Sequence, residues 1–199
     1  MISNYFLITC CNERFKHYVD LNFIERIDCV DTVNNNPSQM AAKYGLEIAL
    51  IDHKGYFGQS PGGVGCFLSH YALWQRIAAL PVTKNFFCLL EDDACPNSIV
   101  TLYNREFNYA IDIEKPSVIK VNKRSNEGTE GYLINQAACK RFIEICAGKI
   151  ILPVDQFLWT SNPHTIFKNK GKPIHDVNVV RNNSIIGLAS WSKETTLKK

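Results

Sequence analysis

Phe86-Phe87-Cys88-Leu89-Leu90-Glu91-Asp92-Asp93 decides how this chain is read. Five apolar residues run without alternation into three consecutive carboxylates. An apolar run this short and unbroken reads as a strand buried on both faces, as in the interior of a parallel sheet. Its carboxyl end is where open α/β sheets place their ligands. Three adjacent carboxylates repel one another, so a compensating cation is expected beside them. Two readings follow from the eight residues. One is a divalent metal holding a phosphorylated substrate. The other is an acidic turn that ends the strand and caps the next helix.

On the amino-terminal side, residues 65–80 carry the strongest helical pattern in the chain. Cys66, Ser69, Leu73 and Ile77 recur at three- and four-residue spacing, with Phe67, Trp74 and Ala78 beside them, and Pro81 ends the run. Ser69 and His70 interrupt this apolar surface. They read either as a buried histidine satisfied by a neighbour or as a pair that shapes a site at the acidic strand end. Residues 55–63, rich in glycine and carrying Pro61, read as a loop over a ligand.

Further out, residues 5–10 read as a buried first strand, 12–16 as a polar loop, 17–24 as a short helix and 27–33 as a second strand. Asn36-Pro37 starts a helix that Gly45 stops, and 46–51 is another strand. After the acids come a short helix over 98–103 and strands over 118–121 and 131–134. A helix then runs from an Asn135 cap to Ala147, with Gly148 as its stop. Asp155 is the one acid in an apolar stretch, and burial of that kind needs a reason. It reads as a helix N-cap or as a catalytic base. Residues 164–175 suggest a basic hairpin, 176–186 an edge strand, and 193–199 a fraying tail. No glycine-rich fingerprint supports a dinucleotide fold or a P-loop.

The 199 residues suit one domain, and 46% hydrophobic with 21% charged content is ordinary for a globular chain. A net charge of +3 is too weak to argue for nucleic acid. The eight cysteines form no C-x-x-C pair, which argues against a zinc knuckle or thioredoxin-type site. The opening residues lack the pattern of a signal peptide, and no window reaches a membrane-spanning length. The expectation is a reduced, cytoplasmic protein, with peripheral membrane contact and oligomeric state left open. The Asn182-Asn183-Ser184 sequon then reads as chance.

Taken in order, Gly65-Cys66-Phe67-Leu68-Ser69-His70 with Trp74, Leu89-Leu90-Glu91-Asp92-Asp93-Ala94, Gly131-Tyr132-Leu133-Ile134 and Pro153-Val154-Asp155 resemble glycosyltransferase family 25. This is the family of lipooligosaccharide and collagen galactosyltransferases. The resemblance runs from the first strand to about residue 186. It implies an α/β, GT-A-like single domain over 1–190, with a mixed, mostly parallel central sheet flanked by helices, and a flexible tail over 191–199. It also implies a nucleotide-sugar donor, often UDP-galactose, and inverting transfer to a glycan hydroxyl. Two stretches differ from the usual family pattern: Thr9 to Arg14, and the Gly62-Gly63 pair before the G-C motif.

The resemblance places Mn²⁺ (or Mg²⁺) at the acids, with Asp93 the first ligand and Glu91 or Asp92 assisting. Thr9, Arg14, Ser69, His70 and Asp92 are placed with the donor. From the residues themselves, His175 reads as a surface histidine or as a group that completes the metal shell or touches a phosphate. Lys168, Lys170 and Lys172 read as a solvated turn or as cations that steer the diphosphate. Inversion needs a carboxylate to take the acceptor proton. Asp155 is the candidate, with Trp159 as a stacking surface for the acceptor sugar. The competing expectations are a metal-dependent hydrolase and a catalytically degenerate GT-A module that binds sugar or a partner.

Overall fold

The computed structural model describes residues 2–48, 60–104, 114–121, 130–150, 153–159 and 178–181. Its centre is a mixed sheet in the order β2-β1-β4-β6-β5-β8. The strands are β1 (Ile2–Thr9), β2 (Ile24–Asp28), β4 (Phe86–Glu91), β5 (Ser117–Lys120), β6 (Gly131–Asn135) and β8 (Asn178–Arg181). β1 runs parallel to both β2 and β4, and β5 runs parallel to β8. β6 is antiparallel to both its neighbours. The fold is therefore mixed α/β with three parallel pairings in five. A parallel pair of two-residue strands, β3 (Glu47–Ile48) and β7 (Lys149–Ile150), stands apart.

The unbroken apolar run of β4 has the expected cause. Phe87 and Leu89 face one core layer with Phe6, Ile8, Trp74 and Phe142. Phe86, Cys88 and Leu90 face a second with Tyr5, Leu7, Tyr18 and Ile99. The first layer is covered by α3 (Pro61–Ala78), α5 (Gln136–Cys146) and α6 (Val154–Trp159). The second is covered by α4 (Pro96–Tyr103) and the segment holding α1 (Asn12–Phe15) and a 3₁₀ turn over Lys16–Tyr18.

Local signals account for the helix ends. In α2 (Pro37–Lys43), Asn36 accepts from the amides of Ser38 and Gln39, and Gly45 follows in the left-handed region at φ 70°. Asn135 accepts from the Ala138 amide to start α5 and from the Ser117 amide to fix the end of β5. Gln136 donates to the carbonyls of Ile77 and Leu80, which satisfies the end of α3 before Pro81.

Three expectations are corrected. Helix α3 begins at Pro61 and not at Gly65, because Ser60 accepts from the Gly63 amide and Pro61 occupies the first helical position. Gly62 and Gly63 thus lie in its first turn, while 51–59 fall outside the described residues. The second strand spans Ile24–Asp28 and not 27–33. Pairing with β1 sets Tyr5 against Ile24 and Thr9 against Asp28, after which the chain turns to α3, where the Ser69 hydroxyl accepts from the Val30 amide at 2.8 Å. Residues 12–15 are helical and 17–24 contain no α-helix.

The expectation of a reduced chain is also corrected at one pair: Cys10 and Cys29 form a disulfide with a Cα separation of 5.1 Å. They follow paired residues of β1 and β2, so the parallel register brings them together across 19 positions.

Gly65 is where α3 meets this connector. A Cβ there would lie 2.6 Å from the Val30 carbonyl oxygen and closer still to the Thr32 hydroxyl. Thr32 in turn donates to the Pro61 carbonyl. Gly65→Ala is therefore expected to destabilise the chain by about 1–3 kcal/mol through overpacking. The check is a lowered midpoint in chemical denaturation, set against Gly62→Ala, whose Cβ meets nothing.

Candidate active site

β1 and β4 are adjacent and parallel, with β2 following β1 on the opposite side. The chain thus reverses its winding direction between them, and the carboxyl edge of such a pair forms the crevice in which open α/β sheets bind ligands. Thr9 ends β1 and Glu91 ends β4, so both stand at this carboxyl edge.

Asp92 is held on both oxygens. The Thr9 hydroxyl donates to Oδ2 at 2.8 Å, and Arg14 from α1 reaches Oδ1 at 2.9 Å. The Asp92 bond and charge in turn raise the Arg14 guanidinium above its ordinary value. Tyr18, buried beneath, donates to the backbone carbonyls of Asp92 and Ala94 and so fixes the turn after β4. Of the two cations that follow β1, Arg14 thus reaches the acids, while Lys16 pairs with Glu13.

Glu91 faces the opposite layer. Its Oε1 lies 3.0 Å from His70 Nε2 and 3.6 Å from Cys66 Sγ, both on α3. His70 has no solvent exposure, and its Nδ1 meets the Tyr132 hydroxyl at 2.8 Å. The Trp74 indole donates to that same hydroxyl at 3.0 Å. The two readings of His70 thus merge, because it is a satisfied buried histidine and its partner is an acid of the site. Ser69 instead bonds the Gly65 carbonyl and the Val30 amide, holding the β2–α2 connector against α3.

Asp93 differs from its neighbours. Its Oδ1 is buried and has no hydrogen-bond partner among the described residues. Burial, then the charges of Glu91, Glu130 and Asp92, push its carboxyl up to about 7. Glu130 is a fourth acid of the cluster; its carbonyl accepts from the Glu91 amide as β6 begins beside the end of β4. Glu130 reads as loop in the sequence, and nothing short of the β4–β6 pairing brings it to Asp93. Lys120 is buried in the last position of β5, opposite Tyr132.

Asp155 lies in the first turn of α6, where the Phe157 amide bonds the Pro153 carbonyl, so Asp155 is not the N-cap. It is half-buried, and its charge, after burial and Glu91, helps push the Cys66 thiol up. The structure therefore sets Asp155 on the Glu91 side of the crevice. Trp159 ends α6, and its side chain is outside the described residues, as are His175, Lys168, Lys170 and Lys172 with the expected hairpin. The edge strand expected within 176–186 is β8.

Residues 12–105 match the family model of glycosyltransferase family 25 (LPS biosynthesis protein). The match supports glycosyltransferase activity, which requires a sugar donor and an acceptor. It takes in Arg14, the G-C-x-x-S-H helix and the three acids Glu91, Asp92 and Asp93 at the end of β4. It spans just under half of the chain, less than the resemblance from the first strand to residue 186, and the Gly131–Ile134 and Pro153–Asp155 motifs lie beyond it. A search among curated proteins finds no match. Among the described residues, no helix is long and apolar enough to cross a membrane.

Proposed function

We propose that the chain is a glycosyltransferase of family 25 type, moving galactose or a related hexose from a nucleotide-sugar to a glycan hydroxyl with inversion. A GT-A-like domain over 1–190 and a UDP-sugar donor belong to the same reading. The observation that carries it is the buried Asp93 Oδ1, without a hydrogen-bond partner among the described residues, at the β1–β4 crevice and inside the segment that matches the family.

Such an oxygen, crowded by Glu91, Glu130 and Asp92, fits a hard divalent cation, Mn²⁺ or Mg²⁺, which takes oxygen ligands. When bound, that cation supplies Lewis-acid neutralisation of the charge gathering on the departing diphosphate. Asp93 is the proposed ligand, with Glu91, Asp92 and His175 as further candidates. Asp92, aligned by Thr9 and Arg14, is suited to accept from the donor ribose. The Arg14 guanidinium, 61% exposed along its side chain, can also turn toward phosphate. Asp155 takes the acceptor proton, and Trp159 offers a ring for the acceptor sugar.

The test is a panel of nucleotide-sugars in a thermal-shift assay, with and without Mn²⁺. A donor at a hundred times its dissociation constant stabilises by about 2.7 kcal/mol, or about 5–10 °C for a chain of this size. A shift that needs Mn²⁺ is expected from one nucleotide class. No shift with any member of the panel sinks the reading. A shift with no transfer to any glycan identifies a binding module instead.

A further inference from the structure

We propose that Cys66, His70 and Glu91 form a three-ligand site for a zinc-class divalent cation, distinct in its thiolate ligand from the carboxylate-rich position at Asp93, to which Glu91 is then not a ligand. Cys66 and His70 stand four residues apart on α3, so both side chains leave the same helix face one turn apart. Glu91 meets them from the last position of β4. One ligand atom from each residue lies within 4.8 Å of the other two.

The two measured edges decide the fit. Nε2 of His70 is 3.0 Å from Glu91 Oε1, and Cys66 Sγ is 3.6 Å from it. Zinc binds sulfur at about 2.3 Å and nitrogen or carboxylate oxygen at about 2.0–2.1 Å, tetrahedrally, which sets these edges near 3.3 and 3.5 Å. These two edges are within a few tenths of an ångström of the tetrahedral values, and the third, from Cys66 Sγ to His70 Nε2, is no longer than 4.8 Å. A set with one sulfur, one nitrogen and one oxygen favours zinc over Mg²⁺ or Mn²⁺. Three protein ligands leave a fourth position for water or substrate.

The surroundings are those of a ligand histidine. Tyr132 meets Nδ1 at 2.8 Å and is itself held by Trp74, which fixes the imidazole ring from the far side. On binding, the Cys66 thiol proton leaves to solvent. His70 presents Nε2 to the ion and carries its proton on Nδ1, where the Tyr132 oxygen accepts it. The negative charges of Asp93 and Asp155, both felt at Cys66, favour a cation there. The ion ties α3 to the end of β4, directly before the turn that carries Asp92 and Asp93.

The test uses the full chain stripped by chelator and titrated with zinc sulfate alone, followed by calorimetry and elemental analysis. One zinc per chain is expected, with Cys66→Ser and His70→Gln each weakening binding by at least about 100-fold. Asp93→Asn removes one nearby charge but no zinc ligand, so it should keep one zinc per chain, weakened far less than in Cys66→Ser, while losing the Mn²⁺-dependent donor shift; this site and the proposed function thus fail separately. Cobalt in place of zinc should show a thiolate-to-metal charge-transfer band. That band must persist in a Cys11→Ser/Cys95→Ser double variant, which decides the matter even where Cys66→Ser does not fold. No zinc bound at micromolar concentration, cobalt bound without the thiolate band, or zinc affinity unchanged in Cys66→Ser overturns the proposal.

Discussion

Asp93→Asn is expected to lower sugar transfer by about 100-fold or more, the scale of removing a group that holds charge stabilisation in place. The same substitution should change how stability depends on pH. The Asp93 carboxyl lies at about 7 in the folded chain against an ordinary 3.8. A raised acid favours folding in its protonated form. Its stabilising effect is complete below about pH 4 and is lost progressively as pH rises to about 7. With divalent ions chelated, the wild-type chain should therefore fall below the Asp93→Asn variant in melting temperature across that window. Added Mn²⁺ should restore the wild type alone. Parallel melting curves from pH 4 to 8 would show that this carboxyl is solvated and not the crowded one.

Asp155→Asn is expected to cut turnover by about 10²–10⁴-fold, the ordinary contribution of a general base. Nucleotide-sugar binding, read by the Mn²⁺-dependent thermal shift, should stay within about twofold, because Asp155 acts on the acceptor proton. The amide keeps the size of the carboxylate, so α6 and its buried Val154, Phe157 and Leu158 are retained. Unchanged turnover would remove Asp155 from the chemistry. Loss of donor binding would place it with the donor instead.

The legible parts of this site share a cause. Strand β4, the α3 helix and the Asn36 and Asn135 caps are specified by residues close in sequence, whose hydrogen bonds and burial periodicity are local. A compensating cation beside the acids is expected from their charge, but that it is Arg14, with Thr9 on the other oxygen of Asp92, depends on β1 lying next to β4. The start of α3 is set by Ser60 and Pro61, ahead of the two glycines that locally suggest a loop. The extent of the second strand depends on register with β1, which no local pattern reveals.

Other features depended on pairing across long separations. Glu130 joins Asp93 only because β6 returns antiparallel beside β4, and Cys10 meets Cys29 only because β1 and β2 run in parallel register. The three acids themselves illustrate the division. By itself, the sequence determined that an unalternated apolar strand delivers Glu91, Asp92 and Asp93 to a sheet edge, since burial on both faces and chain continuity leave no other place for them. Only the tertiary structure decided that they serve three directions. Alternation along β4 turns Glu91 to α3 and Asp92 to the opposite layer, toward Thr9 and Arg14. Asp93, in the turn beyond the strand, keeps a buried oxygen with no protein partner among the described residues. That difference arises from which elements pack on each face of the sheet, and contacts of that kind are made between residues distant in sequence.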